Sequence, residues 1–180
     1  YGVETGLSSD PWMNWQIKDL DNRSILSFSD AHSPPKMGRE ATVFEIKNQK
    51  SKIKNDNQEF RISYMDIGRA IAKPDATHHI AYTIEFYPEE GKYHYSGHRN
   101  CNVVYDSKQL KEKGEICPVC KRKLTLGVLK RVEDLADRSE ESLKLKVQDG
   151  ITKTEKLEKP GFRMLVQLEE IVAESLHSTV

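Results

Sequence analysis

His98-Arg-Asn-Cys101, fifteen residues, then Cys117-Pro-Val-Cys120 is the stretch on which the reading of this chain turns, and all three cysteines lie inside it. Two pairs of potential ligands, each separated by two residues, suit a tetrahedral Zn²⁺ site. Each short loop folds back to face one metal, and the intervening segment brings the loops together. Thiolate and neutral imidazole are the donors that borderline-soft Zn²⁺ prefers. Lys121-Arg-Lys123 follows the second pair directly, so that pair reads as a zinc knuckle with a basic exit. A disulfide between Cys117 and Cys120 would leave Cys101 odd, and the count therefore favours a metal. His94 is a rival ligand four residues before His98. The gap from His98 to Cys101 matches that from Cys117 to Cys120, which favours His98.

Outward from this centre, charge is distributed unevenly. The 180 residues carry 28 basic and 28 acidic side chains, so net charge points to no partner. From Lys108 to Arg131, however, eight Lys/Arg face two Glu, whereas from Val132 onward acidic residues outnumber basic ones by eleven to seven. A basic module in a neutral chain fits phosphate-rich ligands as well as an ordinary solvated face. Lys121, Arg122, Lys123 and Arg131 are the candidates for such phosphate contacts. No apolar run approaches the roughly 20 residues that cross a bilayer, and no signal peptide is visible, so no membrane partner is expected. Thiols spaced as metal ligands indicate a reducing, cytoplasmic compartment. A chain that opens at Tyr1 without an initiator methionine reads as a fragment of a longer protein.

The coarse pattern is α/β. A short strand over 2–5 leads to Asp10-Pro11, an N-cap residue before a proline at the first helical position. A helix ending near Asn22 and a buried strand over 24–28 follow. Residues 39–46 are of mixed character, and 47–59 read as an exposed polar connection. Ser63 and Asp66 cap a helix to Lys73, ended by Pro74. Residues 79–87 alternate as a strand, with 92–95 returning as its hairpin partner. Tyr93 and Tyr95, alternating with His94, read as packing or stacking residues, and Trp12 and Trp15 as core. Residues 123–126 pair briefly, and 127–138 carry one apolar helical face. Residues 139–160 are charged and lack an apolar period, which predicts a mobile linker. Residues 162–176 return to helical spacing.

Asp30 and His32 stand just past the end of the strand over 24–28, where α/β proteins assemble sites. A carboxylate and an imidazole so placed can ligate divalent metals, although Asp-x-His alone is a weak signal. The surrounding text strengthens it. Glu4-Thr-Gly-Leu-Ser-Ser-Asp-Pro11, Ser27-Phe-Ser-Asp-Ala-His-Ser-Pro-Pro35 and Met37-Gly-Arg-Glu-Ala41 resemble the closing part of a polymerase-and-histidinol-phosphatase (PHP) domain. The later segments narrow the likeness. They are Glu85-Phe-Tyr-Pro-Glu-Glu-Gly-Lys-Tyr-His-Tyr95, Gly97-His-Arg-Asn-Cys101, Cys117-Pro-Val-Cys120, the run from Gly127 to Arg138, and Leu168-Glu-Glu-Ile-Val-Ala-Glu174. Together these resemble the endonuclease Q family.

The resemblance implies an α/β fragment from the end of a PHP-type β/α barrel over 1–97. It further implies a zinc-binding module with its following helix over 98–138, then the charged linker over 139–160 and a C-terminal helical segment over 161–180. It implies a DNA repair endonuclease that nicks 5′ of deaminated bases such as uracil and hypoxanthine, and at abasic sites. Asp30 and His32 match the last metal motif of the catalytic site, whose divalent metals would be Zn, Mg or Mn. His98, Cys101, Cys117 and Cys120 match the structural zinc site. The departure is that PHP domains open on a His-x-His motif, and the six histidines at 32, 78, 79, 94, 98 and 177 form none. The chain is therefore expected to lack a complete catalytic cluster by itself and to be inactive alone. Strand edges left open by a partial barrel would favour self-association. Two other functions fit part of the pattern: a PHP phosphoesterase acting on a small phosphate ester, and a non-catalytic zinc module that binds DNA or a protein.

Overall fold

The computed structural model describes residues 1–47 and 62–178. Strand β1 (Gly2–Glu4) pairs in parallel with β2 (Ser24–Leu26), Gly2 opposite Ser24 and Glu4 opposite Leu26. Between them lies α1 (Pro11–Trp15), whose N-cap Asp10 accepts from the Met13 amide at 2.7 Å. Pro11 occupies the first helical position, where its missing amide costs nothing. The helix does not run on to Asn22. The Gln16 carbonyl accepts instead from the amides of Asp137 and Arg138, at 2.9 and 3.2 Å, and a 3₁₀ turn over Lys18–Leu20 follows. A tertiary contact has taken the acceptor that a longer helix would use.

Residues 39–46, undecided in sequence, contain β3 (Ala41–Ile46), antiparallel to β4 (His78–Glu85) with a bulge between Val43 and Phe44. Helix α2 (Tyr64–Ala72) begins with the expected reciprocal cap between Ser63 and Asp66. The connection expected over 47–59 lies, apart from Lys47, outside the described residues. Residues 92–95 do not return alongside β4. Their backbone is used elsewhere: the Tyr93 amide donates to Ser8 Oγ at 3.3 Å, and the Tyr93 and His94 carbonyls accept from Val128 and Leu129. They bridge the 3₁₀ turn over Gly6–Ser8 to the start of α4 (Val128–Leu135).

A small hairpin of β5 (Ser96–His98) and β6 (Val103–Tyr105) leads into α3 (Ser107–Lys113), which carries a second reciprocal cap, between Asp106 and Gln109. The brief pairing expected over 123–126 is present as two isolated bridges, Gly97 with Thr125 and Ile116 with Lys123.

The largest departure from the sequence reading is at 139–164. Instead of a mobile linker there is α5 (Glu140–Leu143), followed by β7 (Leu145–Gln148) and β8 (Ile151–Thr154). Asp149 and Gly150 turn the hairpin, with φ of 53° and 71°. Asp-Gly supplies the two left-handed positions that a tight hairpin needs, and the flanking strands are short enough to hide any helical period. Residues 161–164 are likewise not helical: β9 (Gly161–Met164) lies parallel to β4. Helical spacing is realised only in α6 (Leu168–Ser175). The resulting five-stranded sheet runs β3-β4-β9-β8-β7, so the end of the chain completes a sheet begun near its start. Trp15, Ile25, Leu143 and Phe162 form one core, with Trp15 and Phe162 edge to face at 5.6 Å. Full burial of Leu143 is why the charged stretch is held in place.

Candidate metal centre and the acidic strand ends

Each ligand pair sits on a turn that ends in a left-handed residue. After His98, a 3₁₀ turn over Arg99–Cys101 closes with the Asn102 amide donating to the Arg99 carbonyl at 2.8 Å, Asn102 having φ 52°. After Cys117, the Lys121 amide donates to the Cys117 carbonyl at 3.0 Å, with Lys121 at φ 60°. The two loops are thus geometric counterparts although one begins with histidine. The knuckle is anchored by the Cys117 amide on the Arg122 carbonyl and the Leu124 amide on the Glu115 carbonyl, both at 2.8 Å. A separate small core of Tyr105, Leu110, Cys117 and Leu124, with Val103 packed against it, lies beneath.

The donor atoms of His98, Cys101, Cys117 and Cys120 all lie within 4.8 Å of one another. His98 Nδ1 is 3.4 Å from Cys120 Sγ, against an edge of about 3.5 Å expected for N and S donors around tetrahedral zinc. His94, the rival ligand, is buried with Nδ1 2.9 Å from the Ser8 carbonyl and serves the packing of the chain. Burial raises the Cys101 thiol, and the neighbouring sulfurs add to the effect. At Cys117 burial opposes ionisation too, but the Cys120 and Val119 amides outweigh it and bring the thiol below its ordinary value. Crowding ionisable sulfurs in this way is costly without a cation, and the donor set fits zinc.

Asp30 and His32 are both exposed, on the loop after β2, and among the described residues they join no group of three or more potential metal ligands. Asp30 takes φ 45°, and its carbonyl lies 2.8 Å from His32 Nδ1. With Nδ1 occupied by a backbone oxygen, Nε2 carries the free lone pair, the arrangement common in metal-ligating histidines. Arg39 Nε holds the same loop by donating to the Ser29 carbonyl at 3.1 Å. Lys121, Arg122, Lys123 and Arg131 are all exposed.

Sequence reasoning missed a set of buried acids at the neighbouring strand ends. Glu85 accepts from Thr5 and Ser27, each at 3.0 Å, and from Thr83. Burial pushes it up to about 8 in spite of these bonds. Glu40 is only 2% exposed, its Oε1 accepts weakly from the Phe86 amide at 3.4 Å, and burial raises it to about 7. Asp10 is raised by burial to about 6, although it caps α1. A glutamate ending an alternating strand was the available signal for Glu85; Glu40 offered none.

No family model matches the chain. Over 137 residues, 75% of this chain, it is 31% identical to an uncharacterized protein of Methanocaldococcus jannaschii, of which it spans 16%. Among solved structures it is similar to the lesion-specific endonuclease PfuEndoQ from Pyrococcus furiosus, with TM-score 0.68 and 28% identity. It is also similar to endonuclease Q in complex with a 27-mer duplex substrate bearing an abasic lesion at the active site, with TM-score 0.72 and 28% identity. Each likeness covers 99% of this chain and 38% of that protein.

Proposed function

Because this chain matches endonuclease Q over 99% of its own length and 38% of that protein's, we propose that it is the C-terminal part of a metal-dependent DNA repair endonuclease. The substrate is duplex DNA carrying a deaminated base (uracil or hypoxanthine) or an abasic site, nicked on the 5′ side. The observation that carries this reading is the likeness to the abasic-DNA complex. The cysteine–histidine tetrad supports it independently of sequence identity.

In this reading residues 1–97 are the closing part of a PHP-type barrel and 98–138 the zinc module. Zinc at His98, Cys101, Cys117 and Cys120 is structural: four protein donors leave no open position for substrate. Asp30 and His32 contribute one corner of a catalytic cluster completed by residues outside this chain. Bound there, divalent metals would activate water and neutralise the phosphate. Asp30 offers its carboxylate, and His32 offers Nε2 while Asp30's own carbonyl fixes the ring. Lys121, Arg122, Lys123 and Arg131 hold backbone phosphates, contacts that position DNA without reading its sequence. A deaminated base exposes its distinguishing edge only when turned out of the stack. Three free thiols favour a cytoplasmic setting. Among the described residues, no helix is long and apolar enough to cross a membrane.

The decisive experiment compares this chain with a longer polypeptide that joins it to a PHP-type N-terminal half, on end-labelled duplexes containing uracil, hypoxanthine or an abasic site. Metal-dependent 5′ nicking by the longer protein only, lost in Asp30→Ala and His32→Ala, supports the endonuclease. A second reading is favoured by the four-donor tetrad standing without a catalytic cluster among the described residues: a zinc module that binds DNA without cutting it. Binding by both forms with no cleavage would support that reading.

A further inference from the structure

A groove of about 560 Å³ beside the metal centre is lined by Glu89, Lys92, Tyr93, Asn100, Val104 and Leu126, among others. Tyr93 lines it and is 58% exposed. Its backbone is nonetheless fixed on both sides. The amide donates to Ser8 Oγ, the carbonyl accepts from Val128 at 2.9 Å, and the next residue, His94, is buried. An aromatic ring that is both exposed and immobile at its base is a platform rather than a packing residue. Lys92 Nζ and Arg99 Cζ each lie 5.3 Å from the ring centroid. Arg99 belongs to the turn between His98 and Cys101, so metal binding at those residues would order it. Both cations lie over the ring, and a base that displaces one of them would stack on the freed face while the cations take its phosphates.

We propose that Tyr93, with Lys92 and Arg99, forms a stacking subsite for an unpaired nucleotide of single-stranded DNA. It rests on the DNA reading above and extends it to a nucleotide that has left the duplex, held beside the zinc loop. The flexible Lys92 side chain swings from the ring to a phosphate when a base arrives. Arg99 keeps its place because its backbone lies in the ligand loop.

The test uses the zinc-loaded 180-residue chain and fluorescence anisotropy with a labelled oligo-dT 12-mer and a blunt duplex of the same length. Wild type, Tyr93→Phe and Tyr93→Leu are compared at fixed salt, after zinc content and circular dichroism confirm that each is folded. The expected result is that Tyr93→Leu weakens the single strand about tenfold and leaves the duplex within about twofold, with Tyr93→Phe close to wild type. Equal affinity of Tyr93→Leu and wild type for the single strand would overturn the subsite while leaving DNA binding intact. So would an equal loss on both ligands. Failure of the wild type to bind either DNA would overturn the subsite and the DNA reading together.

Discussion

Thr5 Oγ1 donates to Glu85 Oε2 across 3.0 Å, joining the end of β1 to the end of β4 through residues 80 positions apart. Ser27, just past β2, donates to the same oxygen at 3.0 Å. One carboxyl group therefore gathers three strand ends, next to the loop that carries Asp30 and His32.

That group makes stability depend on pH. Burial raises Glu85 to about 8, and Glu40 to about 7, against ordinary carboxylates in the unfolded chain. An acid whose folded value is raised contributes fully below its unfolded value, and the contribution is lost as pH rises through the folded one. Between pH 6.5 and 8.5 the melting temperature of the zinc-loaded chain should fall, by roughly 5 °C. In Glu85→Gln the fall should be much smaller. Thermal melts of both proteins in matched buffers check this, since any pH effect on the zinc ligands is common to both.

Elemental analysis of the purified chain should find about one zinc per molecule, lost in Cys117→Ser. Amide exchange at Cys117 and Leu124, whose amides are tied to the Arg122 and Glu115 carbonyls, should accelerate when a chelator is added. Two or more tightly held zinc ions would mean that Asp30 and His32 retain a metal without partners from outside the chain.

The segment over 139–160 should behave as structure and not as tether. Leu143→Ala removes a fully buried side chain and should cost about 2–5 kcal/mol in denaturant unfolding. Gly150→Ala places a Cβ at φ 71° and should cost about 1 kcal/mol. A mobile linker would register neither change.

Alanine at Lys121, Arg122, Lys123 or Arg131 should weaken DNA binding to a similar degree on damaged and undamaged duplexes. Each substitution should lower the slope of log affinity against log salt by about 1. Anisotropy titrations at several salt concentrations measure this directly; an unchanged slope would return these side chains to an ordinary solvated surface.

Much of the candidate metal centre was legible because its information is local. Two ligands separated by two residues and closed by a left-handed residue need only one tight turn each, and only the meeting of the two turns required the fold. The caps at Asp10, Ser63 and Asp106 are equally local, each reaching three residues ahead. Of these, Asp106 carries the weakest signal, because α3 is a short, charged helix with Leu110 its buried residue and shows no apolar period.

By itself, then, the sequence pointed to the candidate ligand set, the caps at Asp10 and Ser63 and the strand–helix–strand order around α1, since hydrogen bonds and turns of short reach decide them. Only the tertiary structure decided that 139–164 completes the sheet of β3 and β4, that 92–95 bridges two distant segments, and that Glu40 and Glu85 are buried. A strand shows where it pairs only when its partner is present: β9 finds β4 across some eighty residues. Burial of a carboxylate is likewise a property of what packs over it, and nothing in its neighbours along the chain records that.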